Sequence, residues 1–543
     1  MTSLETNLSA LKKNQRNLNA INVVRGAAAS IGTSGSVFSA KLCNGAVFVS
    51  FGKRPLVSQY DPLREARVRI DACCANRTAI THAVFSGMGG LHLVDALIAA
   101  YPQCRSIIII EQSAELAAAV LSAAVFPWLD RAVFLIGESI VRCVDHCDAH
   151  IPDYCADTTV IIPNQRARFY DEAYFRGLDS ALSGFLERKF MSMTTFYYFA
   201  PRWMANIGYN LKRNRGASFS AYSGILNGTM PLVIVGGGPS IDRVIEELRT
   251  IASGAFLLAA ATSSATLLHA GIRPDAVIST DGGFYATSHL TACYESGIPL
   301  ITTHTAYGPA IAHNGPVYYF SHGMHAERLC YPETPEYPME GSVLSSAVRA
   351  GASLHPSCII LAAADFCFQD EKTHSAASAS HRIDYVSSYK LAPLTARNLR
   401  RQGDRIAAID YDGKPVTTSA TLEAYRSQME MLVADMTVPV LTMNSTSARI
   451  AGVTLRDRSP LPPVTKPSPM HVPEIIAQQR LFDECGHIMD AVHKRDADAL
   501  TGLELAWESV PFYMKRYLAN RTAENAGRLY NELCGVMASL GAA

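Results

Sequence analysis

The loop Gly236-Gly237-Gly238-Pro239-Ser240 is the segment whose residue types most clearly allow chemistry. It follows an apolar run, Pro231 to Val235, and precedes an apolar periodicity that predicts an amphipathic helix. Glycines let backbone N–H groups approach an anion, and a helix N-terminus adds about half a positive charge. Ser240 can cap that helix or bind a phosphate oxygen. The spacing matches neither a dinucleotide fingerprint nor a P-loop, so a plain tight turn is the alternative interpretation.

Polar residues follow three further apolar runs that read as strands, namely Ser263, Asp281 and Asp365. Ligands of such sheets bind beyond the carboxyl ends of the strands, so we expect these residues in one crevice with the glycine loop. Asp281 can hold a ribose, a metal or a sugar, and Asp365 can do similar work. A single aspartate at a strand end is explained equally well as a helix cap or as a solvated loop residue. Several polar residues at the strand ends of one sheet favour a role in ligand binding or catalysis.

Histidines in the same part of the chain are candidate general bases, because imidazole titrates near neutral pH. They are His304, His322, His325, His374 and His381. A lone histidine is more often structural. His374 ranks first, because it follows the Asp365 strand end in a polar loop.

A second glycine-rich turn, Gly87-Met88-Gly89-Gly90, lies upstream, with Glu111 at the end of the next predicted strand. This combination looks like a nucleotide or S-adenosylmethionine pocket. His92 occupies the third position of the dinucleotide fingerprint, so a Rossmann-like unit that serves only as scaffold is the alternative.

Three cysteines and a histidine lie close together in sequence: Cys143, Cys147, His150 and Cys155. Their spacing matches no standard zinc pattern, and Cys143 and Cys147 also fit one face of a helix. We therefore predict no metal site here.

The elements that position these residues predict an α/β fold. Strands and helices alternate in the first region, which indicates parallel pairing with helices on both faces. We predict four parts: an N-terminal α/β, Rossmann-like domain with a helical linker (1–216), a central domain with a Rossmann-like sheet (217–456), a proline-rich linker (457–473) and a C-terminal helical domain (474–543). At the N-terminus, Leu4, Leu8, Leu11 and Leu18 predict one helical face.

Composition excludes several classes of protein. Lys plus Arg equals Asp plus Glu, at 48 each, which gives no reason to expect a nucleic acid partner. The 13 cysteines are odd in number and irregular in spacing, which fits reduced thiols rather than a disulfide framework. No signal-peptide pattern and no uninterrupted apolar run of about 18 residues occurs. We therefore expect a cytoplasmic protein without a membrane span.

Several short sequence blocks follow one another along the chain in an order that can be compared with known families. They are Val233 to Ser240; Gly271-Ile272-Arg273-Pro274-Asp275 with Ser279-Thr280-Asp281; Gly341-Ser342-Val343, Ile359-Ile360-Leu361 to Asp365 and Lys372-Thr373-His374; Thr417-Thr418-Ser419; and Ala448 to Gly452. Tyr60-Asp61-Pro62 and the Gly87 turn precede them. In this order the blocks resemble the motility-associated factor (Maf) flagellin glycosyltransferase family, over most of residues 1–453.

The resemblance implies transfer of a nonulosonic acid, of the pseudaminic or legionaminic type, from a CMP-sugar to Ser or Thr of flagellin. Gly236 to Ser240 would hold the CMP phosphate, and Ser263 and Asp281 the cytidine or ribose. Ser342 and Asp365 would shape the sugar side, as in the similar bacterial sialyltransferases, and His374 would be the base. No cofactor beyond the donor is required, although a divalent metal is compatible.

Two other functions remain open. The same domain type occurs in 6-hydroxymethylpterin diphosphokinases, which use ATP and Mg²⁺ but lack the large flanking regions of this chain. The strand before Asp365 reads Leu361-Ala362-Ala363-Ala364 where the Maf family usually has Gly and then Gln. A non-catalytic protein that binds flagellin is therefore the third hypothesis.

Overall fold

The computed structural model describes residues 2–34, 36–75, 77, 79–166, 169–213, 216–311, 315–470, 480–500, 503–510, 514, 517 and 522–540. The chain forms two compact units. The N-terminal unit comprises Met1–Tyr198 and Pro511–Leu529, and the central unit comprises Phe199–Val510 and Tyr530–Ala543. The division into four parts (1–216, 217–456, 457–473 and 474–543) that the sequence predicts stays a prediction.

The N-terminal unit is built on a parallel sheet of four strands. Its elements are α1 (Ser3–Lys12), α2 (Leu18–Ser34), β1 (Phe38–Cys43), β2 (Ala46–Phe51), β3 (Arg54–Pro55), α3 (Pro62–Cys74), β4 (His82–Ser86), α4 (His92–Ala100), β5 (Ser106–Glu111), α5 (Ala114–Ala123), β6 (Ala132–Ile136), α6 (Ile140–His150) and β7 (Thr159–Pro163). The long helix α7 (Glu172–Arg213) begins in this unit, and its residues from Phe199 onward belong to the central unit. The strand order is β6-β5-β4-β7, and β1-β2-β3 form a separate antiparallel sheet.

The order of this small sheet creates a crevice. From β4 the chain continues to β5 and β6 on one side, and later returns to place β7 on the other side of β4. The direction of winding therefore reverses between β4 and β7, which is where α/β sheets bind ligands. The Gly87-Met88-Gly89-Gly90 turn follows β4 at this position.

The central unit carries a sheet of nine strands. Its elements are β8 (Ala217–Ser218), β9 (Leu232–Val235), α8 (Ile241–Ile251), β10 (Phe256–Ala260), α9 (Ala261–His269), β11 (Ala276–Ser279), α10 (Ala286–Leu290), β12 (Leu300–Thr303), β13 (Val317–Phe320), α11 (His325–Cys330), α12 (Val343–Ala352), β14 (Ile359–Ala362), α13 (Ala379–Val386), α14 (Leu394–Gln402), β15 (Arg405–Ile409), β16 (Pro415–Ser419), α15 (Ala420–Ala434), β17 (Val440–Thr442), β18 (Thr454–Leu455), α16 (Arg480–His493), α17 (Ala497–Leu500) and α18 (Glu504–Ser509). The last helix, α19 (Ala523–Leu540), belongs to the N-terminal unit up to Leu529 and to the central unit from Tyr530.

The nine strands are parallel, in the order β18-β17-β14-β9-β10-β11-β12-β13-β8, and β15-β16 form a separate hairpin. Alternate residues of β9 enter two different cores, because successive side chains of a strand point to opposite faces. Leu232 and Ile234 pack in a cluster with residues of α12 and α15. Val233 and Val235 pack in another with residues of α8. Helices thus cover both faces, which confirms the predicted fold class.

The structure corrects the sequence analysis in several details. The N-terminal helical face ends early, because α1 stops at Lys12 and Leu18 begins α2 with 52% of its surface exposed. β2 corresponds to a strand predicted over Gly45 to Phe51, but its antiparallel pairing with β1 was not predicted. Strands β1, β15 and β16 were missed, and β1 and β15 are largely exposed, which leaves little hydrophobic periodicity. No described helix is both long and apolar enough to cross a bilayer.

Candidate functional site

The large sheet also reverses its winding direction, between β9 and β14. From β9 the chain moves outward through β10, β11, β12 and β13, then crosses back to place β14 on the opposite side of β9. Gly236 to Ser240 follow β9 and Ala363 to Asp365 follow β14, so both loops lie at the carboxyl ends of the two strands that flank the crevice. This is the position at which doubly wound sheets bind ligands.

The glycines of the loop are required by close contact between these two backbones. The Gly236 N–H donates to the Ala362 carbonyl at 2.8 Å, and the Gly238 N–H donates to the Ala363 carbonyl at 3.1 Å. A Cβ atom on Gly236 would lie 2.5 Å from the Ala363 oxygen, and one on Gly238 would lie 2.7 Å from it. Any larger residue would therefore force β9 and β14 apart at this edge.

Asp365 is the acidic side chain that this loop binds. One carboxylate oxygen accepts the Ser240 N–H at 2.8 Å. The other accepts the hydroxyls of Ser240 at 2.5 Å and Ser447 at 2.8 Å, and the Asn444 amide at 3.3 Å. Burial raises the pKa of the Asp365 carboxyl, and these hydrogen bonds oppose the rise. The carboxylate joins the loop, β14 and the segment after β17 into one network.

Ser240 serves this network in place of the capping role that the sequence allowed. Its backbone is already helical, with φ −64° and ψ −14°, and its side chain makes no capping bond. The residue is fully buried, and its hydroxyl donates to Asp365. Asn444 and Ser447 were not singled out from the sequence, although they follow an apolar strand as Asp281 and Asp365 do.

Gly237 is the loop residue whose N–H remains available. Among the described residues no acceptor is recorded for it. A Cβ atom here would lie 2.4 Å from Thr262 Oγ1 and 3.3 Å from a ring carbon of His374, so both side chains border the residue. The Ser375 N–H donates to the Gly237 carbonyl at 3.1 Å. The structure therefore brings His374 beside the loop, as predicted, and adds Thr262.

The other predicted binding residues are more widely spread. Ser263 is fully buried and donates to the carbonyls of Val235 and Ala260, both at 2.8 Å. Ser342 is the N-cap of α12, and its hydroxyl accepts the Ser345 N–H at 3.2 Å. Asp281 is exposed beyond β11, where it accepts the Gly283 N–H at 2.7 Å. The ligand contacts predicted for these residues stay predictions.

The remaining histidines are less suited to act as a base. His304 is 2% exposed and stacked between Tyr319 and Tyr331, with ring centroids 4.0 and 3.9 Å away. Burial lowers the pKa of His304 to about 3 and that of His322 to about 4, which disfavours the protonated form of both rings. His325 bonds Glu484 at 2.9 Å. His381 lies in the first turn of α13. His374 is partly exposed beside the loop.

In the N-terminal unit, Glu111 is not free to bind a ribose. Its carboxylate accepts the N–H groups of Met88 at 3.1 Å and Ser113 at 2.8 Å and the Tyr170 hydroxyl at 2.5 Å. The residue is fully buried, and this burial raises the pKa of its carboxyl. Glu111 therefore holds the Gly87 turn, which argues against the nucleotide arrangement that the sequence suggested.

Metal-ligating residues do not cluster in the described ranges. No group of three or more His, Cys, Asp or Glu residues there could hold an ion. Cys143 and Cys147 are both buried on one face of α6, in agreement with the helix-face interpretation.

Comparisons with known proteins gave a family match and a structural match. Residues 202–371 match the family described as 6-hydroxymethylpterin diphosphokinase MptE-like. A solved structure, the Maf glycosyltransferase from Magnetospirillum magneticum AMB-1, is similar over 99% of this chain and 94% of its own, with a TM-score of 0.53 and 13% sequence identity. The comparison with curated proteins found no significant match. The chain thus has the class of fold seen in that Maf glycosyltransferase, which confirms the predicted resemblance at the level of the fold.

Proposed function

We propose that the central unit is a glycosyltransferase that moves a nonulosonic acid from a CMP-sugar to Ser or Thr of flagellin, in the cytoplasm. The observation that carries the proposal is the crevice between β9 and β14, where a glycine loop, a helix N-terminus and His374 meet. The similarity to a Maf glycosyltransferase along nearly the whole chain supports the choice of reaction. The sugar and the acceptor come from the family resemblance alone.

The donor phosphate would bind at Gly237. The other loop amides with a hydrogen to donate, those of Gly236, Gly238 and Ser240, already bond the β14 edge. Only the Gly237 N–H and the field at the start of α8 remain for an external anion. Asp365 would act as a positioning residue, since it fixes the Ser240 end of the loop without reaching the substrate.

The reaction would be a single displacement. The acceptor hydroxyl oxygen forms a bond to the anomeric carbon, while the bond from that carbon to the phosphate oxygen breaks. CMP leaves with the bonding electrons, stabilised by the Gly237 N–H. His374 takes the hydroxyl proton, a role worth roughly a hundredfold in rate. The leaving group carries its own charge, so a divalent metal is compatible but not required.

The segment after β14 lies against the glycine loop and would meet the acceptor. Its backbone is tied to the glycine loop by Ser375, whose hydroxyl also bonds Thr266 at 2.8 Å. Beyond this tie, α13, α14 and the loop between them expose large apolar side chains. They are Ile383, Tyr385, Val386, Tyr389, Leu391 and Leu399. An apolar surface beside a transfer site suits a protein acceptor.

Donor hydrolysis by the purified protein tests the proposal. We expect CMP release from a CMP-nonulosonic acid, strongly reduced in Ser240→Ala, which loosens the loop, and reduced in Asp281→Ala. Arg67→Gln, an exposed change in the N-terminal unit, is the control. Undiminished turnover in both central variants would contradict the assigned site. Flagellin from a deletion strain should lose the mass of its glycan, and an unchanged mass would remove the flagellin acceptor.

A pterin diphosphokinase is the second candidate, favoured by the family match over residues 202–371. It would release AMP from ATP in the presence of Mg²⁺ and a hydroxymethylpterin, and chelation of the metal would stop it. CMP-sugar transfer predicts no such AMP.

A non-catalytic flagellin-binding protein is the third candidate. It is favoured by Asp365, which fills part of the anion site with a carboxylate of the protein itself. Calorimetric titration with CMP separates it from the first proposal: saturable heat supports donor binding, whereas flagellin binding without any response to CMP supports the third candidate.

A further inference from the structure

The N-terminal crevice between β4 and β7 contains a cavity that the proposed transfer does not use. The cavity encloses about 40 Å³ within a wider depression. By the same measure a single water needs roughly 10–15 Å³, so the space is that of a few waters. Its polar lining includes Glu65, Arg69, His92, Asn164 and Arg166, and Leu56 and Val57 form an apolar side.

Unpaired backbone donors face this region. In the described part of the chain no acceptor is recorded for the N–H groups of Gly89, Gly90, His92 and Leu93, although all four residues are buried. Buried backbone N–H groups are rarely left without a partner. Three of the four residues, all but Gly89, line the cavity.

The backbone of the turn has the form of an anion nest. Gly87, Gly89 and Leu91 have φ values of +90°, +51° and +65°, and the residues between them do not share this left-handed region. Such alternation turns successive N–H groups toward one side, where they bind anions. A left-handed leucine is strained, and this strain is retained at the start of α4.

Positive side chains complete the lining. Arg69 donates from Nε and Nη2 to the Pro163 carbonyl, at 3.2 and 2.9 Å. Three of its five guanidinium hydrogens remain, and no carboxylate among the described residues pairs with it. Arg166 is paired with Glu65 at 2.9 Å. With two arginines against one glutamate, the charged lining carries a net positive charge.

His92 adds a buried polar group. It is 6% exposed, and its Nε2 meets the Val47 carbonyl at 2.9 Å. For Nδ1 no partner is recorded among the described residues.

We propose that this crevice binds the phosphate group of a small molecule. Amides of the Gly87 turn and of α4 would bond the phosphate oxygens, and the free edge of Arg69 would pair with its charge, as guanidinium groups do with phosphates. Glu111 would hold the turn from behind through Met88. The apolar side at Leu56 and Val57 suits an organic substituent that extends into the wider depression. The inference does not depend on the function of the central unit.

Calorimetric titration of the full chain with sodium phosphate tests the site, in a phosphate-free buffer. We expect saturable binding that Arg69→Gln weakens about tenfold or more, since a charge-assisted hydrogen bond of this kind is worth roughly 1.5–3 kcal/mol. Arg67→Gln is the matched control, because Arg67 lies on the same helix but is exposed and does not line the cavity. We expect its affinity to equal that of the wild type.

A second variant and a second ligand complete the experiment, so that the result does not depend on one variant folding correctly. Arg166→Gln is a second variant, and its weakened binding would support the site if Arg69→Gln fails to fold. Glycerol 3-phosphate distinguishes a phosphate ester from free phosphate by which of the two binds more tightly. Three outcomes would overturn the proposal. They are the absence of saturable phosphate binding, an equal loss of phosphate affinity in Arg67→Gln and Arg69→Gln, and an affinity for acetate equal to that for phosphate.

Discussion

The four-stranded and the nine-stranded parallel sheets both hold a glycine-rich turn in place with a carboxylate, but the carboxylate comes from a different position in each sheet. Each has a glycine-rich turn after the first strand at its winding reversal, and each holds that turn with a buried carboxylate. In the N-terminal unit, Glu111 comes from β5, behind the turn, and bonds Met88. In the central unit, Asp365 comes from the end of β14, across the crevice, and bonds Ser240.

This difference decides how much of each loop is left for a ligand. In the N-terminal unit, two amides of the turn, those of Gly89 and Gly90, and two at the start of α4, those of His92 and Leu93, have no recorded acceptor in the described residues. Asp365 and the β14 backbone occupy the central loop except for Gly237. A glycine-rich turn is therefore not a binding site by itself, because the nearest internal carboxylate competes for its donors.

Removing the central carboxylate tests this comparison most strongly. Asp365→Ala should lower the free energy of unfolding by about 3–5 kcal/mol, because several buried donors lose their acceptor together. Asp281→Ala, exposed on the same sheet edge, should cost less than about 1 kcal/mol. Urea unfolding measures both. Equal losses in the two variants would show that Asp365 does not anchor the loop.

Filling the remaining open position should stop turnover. Gly237→Ala places a methyl group against Thr262 and His374 and restricts access to the one available amide. We expect donor hydrolysis to fall about 100- to 1000-fold, as on loss of an oxyanion donor. Gly486→Ala, in α16 with no atom within 4 Å of the added carbon, is the control. Normal turnover in Gly237→Ala would place the phosphate elsewhere.

Removing the proposed base should separate chemistry from binding. His374→Ala should reduce kcat for transfer by roughly a hundredfold and leave KM for the donor nearly unchanged. His269→Ala, on exposed α9 surface, is the matched histidine control. Steady-state kinetics with flagellin as acceptor measure this, and a fall that appears mainly in KM would assign His374 to donor binding.

Glu327 is a third buried carboxylate, and it accepts fewer hydrogen bonds than Glu111 and Asp365 do. Glu327 Oε1 has no partner in the described residues, and burial raises the pKa of this carboxyl from 4.5 to about 7. The protonated form is therefore favoured in the folded protein. Its contribution to stability is complete below about pH 4.5 and is lost as pH rises through 7.

Glu327→Gln should remove this dependence. Relative to wild type, the variant should gain about 1–3 kcal/mol of unfolding free energy between pH 4.5 and 8. Thermal unfolding across that range measures the difference, and parallel curves for the two proteins would show that Glu327 titrates normally.

Much of the sheet architecture was readable from the sequence. Buried parallel strands are continuous apolar runs, so β9, β10, β11 and β14 were recognisable with errors of one or two residues at their ends. The glycine loop and the strand-end polar residues were recognisable for the same reason. The exposed strands β1 and β15 were missed, because they carry little periodic signal.

The sequence alone was enough to identify which strand ends carry polar groups. Strands, turns and helices follow from local sequence patterns, so the positions of these groups could be read from the residue types. Only the tertiary structure decided what those groups bond. Ser240 and Asp365 are separated by 125 positions, and Glu111 and Met88 by 23, yet in each pair one carboxylate takes the donor that a ligand would need. Hydrogen bonds are satisfied in space rather than along the chain, so no local pattern could show that the central loop was largely occupied and the N-terminal turn was not.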